Sequence, residues 1–197
     1  MDDYLGDRTR LRQRTAGEAY RFMVGKFKRF VAAVGDRVQI IQICDDFGMQ
    51  NSPFLSPKMF RQLIMPHYQR GTRWIHEHTD MKVLLHSDGA LRPLMPSIIE
   101  MGVDILNPVQ TSAVGMEGPG LKADFGSEIV FWGGSLDCQH TLPFGTVDEV
   151  ANEVADHIRS LATGGGYVFA PVHNIQARVP VDNVIAMYDT ARSFRKE

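Results

Sequence analysis

Side chains able to hold protons, metals or polar substrates gather in five short clusters: Asp45-Asp46, His86 with Asp88, Asn107 with Gln110, Asp137, and His173-Asn174. Imidazole and carboxylate are the usual groups of acid–base chemistry near neutral pH, and amides add uncharged hydrogen bonds. Each cluster comes just after a short apolar run, over residues 38–44, 82–85, 103–106, 129–132 and 167–170. Runs of that length between turn residues read as strands buried on both faces. If neighbouring runs are parallel, all five clusters share one rim.

The segments between these runs read as helices, as parallel strands require. Thr15 and Glu18 form a capping box for a helix over 16–34, with Tyr20, Phe22, Met23, Phe27, Phe30, Val31 and Val34 on its apolar side and Gly35 as its stop. Ser56-Pro57 begins a long helix over 57–78, which Pro66 should kink. Residues 81–110 form a strand-helix-strand crossover. A glycine- and proline-rich loop over 111–120 and a short helix lead to the fourth strand. A second capping box, Thr146 with Glu149, starts a helix that ends near Leu161 before Gly164-Gly165-Gly166, and a last helix covers 180–194. The alternation is that of an α/β fold. An open doubly wound sheet usually shows a glycine-rich phosphate turn after its first strand, and Asp45-Asp46-Phe47-Gly48 is not one. A complete (β/α)8 barrel takes about 250 residues and eight strands. Five β/α units in 197 residues are the carboxyl-terminal part of a longer barrel, or are completed by a partner, or form a sheet that stays open. The first is the favoured expectation, because a parallel sheet cut there would leave an open edge.

Composition narrows the function. A chain that is 44% hydrophobic and 22% charged, with net charge −2, is an ordinary globular domain and carries no basic field for nucleic acid. Arg8, Arg10, Arg12 and Arg14 read as a solvated helix face. Cys44 and Cys138 make no CxxC and no disulfide framework, which suits a reducing cytoplasm. No apolar run reaches the roughly 18 residues of a membrane span, and the polar start is unlike a signal peptide. The expectation is one cytoplasmic domain over 1–197, with no nucleic-acid or membrane partner.

Four ordered blocks carry a resemblance: DDFGMQNSPFLSPKMF, HSDGALRPLMPSIIEMGVDILNPVQ, FWGGSLDCQHTLPFGT and GGGYVFAPVHNIQARVPVDNV. In these the chain resembles the uroporphyrinogen decarboxylase superfamily, closest to its divergent members, related to the corrinoid-linked methyltransferases. The resemblance implies the carboxyl-terminal five β/α units of a (β/α)8 TIM barrel. In the thiol-methylating members a zinc site looks like His-x-Cys after one strand plus a Cys near the barrel's end; those positions here hold His86, Asp88 and His173. The implied activity is methyl transfer between a small methylated substrate and a corrinoid protein, with zinc or another divalent ion on His86, Asp88 and His173 and with Asp46, His86 and His173 catalytic. The alternative is decarboxylation of uroporphyrinogen, a tetrapyrrole, with no metal and with Arg92 and Arg178 on the substrate's carboxylates. A third reading is an inert fragment or interaction module. The resemblance also implies a possible homodimer.

Each residue has a plainer reading. Asp45 and Asp46 suit a turn as well as a pocket. Asn107 and Gln110 serve loop backbone or substrate. Asp137 sits beside Cys138 and His140 like a ligand cluster, although Gly133-Gly134 point first to close backbone approach. Asn174 is a substrate contact by position alone. Cys44 and Met23 read as core, and His67, His76, His78 and His157, on helices, need no function.

Overall fold

The computed structural model describes Glu18 and residues 24–194. The first capping box, the arginine run and Tyr20, Phe22 and Met23 lie outside the described residues. The helix α1 (24–34) leads through a 3-10 turn at Gly35–Arg37 to β1 (Ile40–Cys44). The elements α2 (Pro57–Leu63), α3 (Met65–His78), β2 (Lys82–His86), α4 (Met95–Glu100), β3 (Ile105–Asn107), α5 (Gly118–Phe125), β4 (Val130–Trp132), α6 (Thr141–Phe144), α7 (Val147–Leu161), β5 (Tyr167–Val168) and α8 (Val181–Ser193) follow in order. The five strands form one parallel sheet in the order β1-β2-β3-β4-β5. Sequential parallel order with a helix in each connection is the arrangement of consecutive units of a (β/α)8 barrel. Among the described residues no helix is long and apolar enough to cross a membrane.

The described residues fall into two compact units. The first takes those up to Ile43 with Leu55–Leu84 and Leu94–Asp104. Its core is Phe60, Ile75, Val83, Leu94, Met95, Ile98 and Met101, all fully buried. Asp104 accepts the Val83 N–H at 2.7 Å and pairs with His76 at 2.8 Å, so this helix histidine has a structural partner.

Two expectations in the first unit are corrected. The helix over 57–78 is two helices, and the break lies at Ile64 (φ −108°, ψ −59°) rather than as a kink at Pro66. Pro66 has no N–H for the carbonyl four residues back and its ring presses on that carbonyl, so the first helix stops and proline opens the next, where no N–H is needed. The strand β1 is not buried on both faces: Ile41 and Ile43 are buried, whereas Gln42 is exposed. The same two-residue period exposes Cys44, which is not core.

The second unit takes Cys44–Phe54, Leu85–Pro93 and the chain from Ile105 onward. Within it Ile105 and Leu106 lie beside Val130 and Phe131, and Phe131 and Trp132 beside Tyr167 and Val168. The fifth strand spans two of the four residues expected. Leu136, Leu142, Val150, Val154, Ile158 and Met187 form a core under α7 and α8. Val150, Val154, Ile158 and Leu161 recur at helical spacing and are all buried, so the apolar stripe sets which face of α7 turns inward. Its start is fixed by the expected capping box: Thr146 Oγ1 accepts the Glu149 N–H at 3.2 Å, and the Glu149 carboxylate accepts the Thr146 N–H at 2.7 Å. Thr146→Ala should lower stability by about 1 kcal/mol, the usual worth of such a cap, measured by urea unfolding.

Candidate functional site

Every candidate residue lies in the second unit. His86 ends β2, and its main-chain carbonyl accepts the Asp45 N–H at 3.1 Å. Its ring stands with Nδ1 2.7 Å from Asn107 Oδ1 and Nε2 3.8 Å from Asp88 Oδ2. The His173 ring lies 6.2 Å away, centre to centre, and tilted by 58°. One ligand-type atom each from His86, Asp88 and His173 falls within 4.8 Å of the others. Donors about 2 Å from a zinc ion stand roughly 3.3 Å apart in a tetrahedron, so modest side-chain rotation closes this set around one ion. Two imidazoles and a carboxylate suit zinc or a similar divalent ion and leave a fourth position for a ligand.

The loops that carry the cluster are held by main chain. Gly48 and Gly89 touch directly: a Cβ on Gly89 (φ +91°) would stand 2.5 Å from the Gly48 carbonyl carbon, and one on Gly48 would stand 2.7 Å from the Asp88 oxygen. The Ala90 N–H donates to the Met49 carbonyl at 2.8 Å, and the Phe47 N–H to the hydroxyl of buried Ser87 at 2.9 Å. Asp46 Oδ1 accepts the Asp88 N–H at 3.1 Å. Gln110 accepts the Gly89 N–H at 2.8 Å and donates to Gln50 at 2.9 Å. Gln110 thus supports the loop behind Asp88, which is the plainer of its two readings.

Burial raises the Asp88 carboxyl above the ordinary carboxylate range; His86 and His173 oppose that shift and Asp46 adds to it. Asp45 is raised in the same way, first by burial and then by the neighbouring Asp46 charge. A carboxyl with raised affinity for protons beside two imidazoles, as at Asp88, is the kind of perturbed group that marks functional sites.

Beside the cluster opens a cleft of about 370 Å³, lined by Asp88, His173 and Asn174 together with Gln110, Ser112, Cys138, Gln139, Val172 and Gln176. Sequence reasoning passed over Ser112, Gln139 and Gln176, which follow no strand directly. Cys138, read from the sequence as a neighbour of Asp137 outside any disulfide framework, also lines the cleft; burial pushes its thiol up, against hydrogen bonds from the main chain of Val172 and His173. Among the described residues the lining carries no lysine or arginine.

Other candidates have different work. Arg92 pairs with Asp124, donates to the Gly115 carbonyl at 3.4 Å and lies over the Phe125 ring, so its charge is already matched. Asp137 accepts the N–H groups of Gln139 and His140 at 2.6 and 3.2 Å and pairs with the His140 ring at 2.9 Å, which makes it a turn former rather than a member of the cluster. Arg178 is exposed and takes a left-handed backbone (φ +83°). Asn107 bonds His86 on one side and the Trp132 carbonyl, at 3.3 Å, on the other.

Sequential parallel units with polar groups gathered beyond the strand ends define the class, a domain of the barrel type with its candidate site on the carboxyl-end rim. The chain belongs to the uroporphyrinogen decarboxylase (URO-D) family, which matches residues 21–194. It is 24% identical over 155 residues to a uroporphyrinogen decarboxylase of Synechocystis, covering 78% of this chain and 41% of that protein. A second uroporphyrinogen decarboxylase, of Crocosphaera subtropica, is 25% identical over 155 residues, covering 78% and 40%. The chain therefore spans about two-fifths of the length of the curated relatives it matches. A methyltransferase from Methanosarcina mazei shares the fold with a TM-score of 0.61 at 22% identity, over 79% of this chain and 42% of that one.

Two outcomes are expected. Gly89→Ala should cost roughly 2–5 kcal/mol, from left-handed strain and the collision with Gly48, measured by urea unfolding. Asp88 binds its proton more tightly folded than unfolded, so its contribution to stability is full below its ordinary value of 3.8 and falls as pH rises from there through the raised folded value. Thermal unfolding of the metal-free protein against Asp88→Asn across that range should show the wild type losing ground as pH rises; parallel curves would refute the shift.

Proposed function

We propose that the chain is a methyl-transfer domain of its family, moving a methyl group between a small methylated substrate and a corrinoid carried by a partner protein, with a divalent ion on His86, Asp88 and His173. The observation that carries this reading is the convergence of two imidazoles and a carboxylate beside a small cleft. A zinc-like ion bound there supplies a Lewis acid for the substrate's heteroatom. His86 and Asp88 hold the ion from the β2 end, and His173 reaches it from the segment after β5. The amides of Gln110, Gln139 and Gln176 line the cleft and offer neutral hydrogen bonds that orient a small polar substrate. As the methyl group leaves, its heteroatom keeps the bonding pair, and the Asp45-Asp46 pair at the rim holds the proton it takes up. Burial first, and then the neighbouring Asp46 charge, raise the proton affinity of Asp45.

The second reading, decarboxylation of uroporphyrinogen, is supported by the names of the two curated relatives. A tetrapyrrole rich in carboxylates needs cationic partners. Among the described residues the cleft lining has none beyond imidazole, Arg92 is matched by Asp124, and Asp88 adds an acidic group to the lining. This balance favours a small neutral or cationic methyl donor.

The test combines metal binding with transfer. The purified chain should bind one Co(II) or Zn(II), and His86→Ala, Asp88→Ala and His173→Ala should each weaken binding by more than the roughly 10- to 100-fold that loss of a supporting partner costs. With metal present, methylated thiols and amines should yield a methylated corrinoid, followed by absorbance. A folded wild type that binds no divalent ion, or that releases carbon dioxide from uroporphyrinogen without one, overturns the proposal.

A further inference from the structure

A neutral histidine has two tautomers, and the choice decides which nitrogen has a lone pair to offer. At His86 the choice is made by a neighbour. A carboxamide oxygen only accepts hydrogen bonds, and Asn107 Oδ1 lies 2.7 Å from His86 Nδ1, so that nitrogen must carry the proton. An amide can be turned over, exchanging oxygen for nitrogen, and the contact would then mean the opposite. Here the other end prevents it. Asn107 Nδ2 donates to the Trp132 carbonyl at 3.3 Å, and a turned amide would set two acceptors against each other there. The main chain of Asn107 is fixed as well, since its carbonyl accepts the Ser87 N–H at 2.8 Å.

We infer that Asn107 is a positioning residue that selects the Nδ1–H tautomer of His86 and so presents the Nε2 lone pair to Asp88 and His173. The Nε2 atom is the one that faces the cluster, 3.8 Å from Asp88 Oδ2. A histidine side chain free in water favours the opposite tautomer, with its proton on Nε2. In that form the ring would turn a donor toward the place an ion must occupy. A partner that holds a ligating histidine by its other nitrogen fixes both tautomer and ring orientation. The role of Asn107 toward a metal rests on the reading of the cluster as a metal centre; its choice of tautomer does not.

The two parts separate in one experiment. Long-range proton–nitrogen NMR on metal-free protein labelled at histidine, at a pH where the ring is neutral, should show a protonated Nδ1 and a bare Nε2 at His86. Asn107→Leu, which removes the acceptor, should move the proton to Nε2 and weaken Co(II) binding about 10- to 100-fold. Asn107→Asp gives up the donor to the Trp132 carbonyl but keeps an acceptor facing the ring, so it should hold the proton on Nδ1 and bind Co(II) more tightly than the leucine variant. A wild-type proton on Nε2, or Co(II) bound equally by wild type and the leucine variant, overturns the inference. An Nδ1 proton that depends on Asn107 in a chain that binds no Co(II) upholds the tautomer and removes the metal reading instead. Should the leucine variant not fold, the wild-type spectrum and the aspartate variant still decide.

Discussion

The rim of the second unit depends on two main-chain segments that pass with no space for a side chain between them. Gly48 and Gly89 meet carbonyl to Cα, and around that contact the loops after β1 and β2 exchange hydrogen bonds through Met49, Ala90, Phe47 and Ser87. Backbone contacts are short and poor in rotamer freedom, so they fix what hangs on them more tightly than long side chains would. Asp88 is the direct beneficiary. Its main chain is held by Asp46 from one loop, and the residue after it by Gln110 from another.

That rigidity carries a charge in an uncomfortable place. A partly buried carboxylate is unfavourable unless something positive or a hydrogen-bond donor answers it. Around Asp88 the answers are two imidazoles, and Asp46 works against them. Sites assembled for chemistry commonly sacrifice stability in this way, because a group already satisfied within the protein has little left to offer a ligand. Arg92 shows the contrasting case: it is matched by Asp124 and stacked on Phe125, and it reads as structure.

How much of this could be read from the chain depends on how local the cause is. The strands were legible because short apolar runs ending in polar residues have few other uses, and the Thr146–Glu149 box was legible because both partners lie within four residues. His86, Asp88 and His173 were placed together through the family resemblance, and the geometry brings them within reach of one another. What was not legible had distant causes. Arg92 finds its acid 32 residues away, and no pattern near Arg92 announces it. The glutamines at 110, 139 and 176 meet only when the loops are folded, and Cys44 follows the alternation of an exposed strand face rather than its own preference for burial. Pro66 was recognised as a disturbance, yet the helix yields at Ile64, since the clash falls on the preceding turn.

Asn107 joins the end of β2 to β4 through one side chain, and on the β4 side it meets a carbonyl oxygen. Every amino acid has that oxygen. The indole at 132 can therefore be exchanged over generations without altering the atom that orients His86, whereas position 107 has almost no tolerance, because few side chains offer an acceptor and a donor at that spacing. The burden of specificity at this junction is unequally divided, and inherited variation should accumulate on one side of it only.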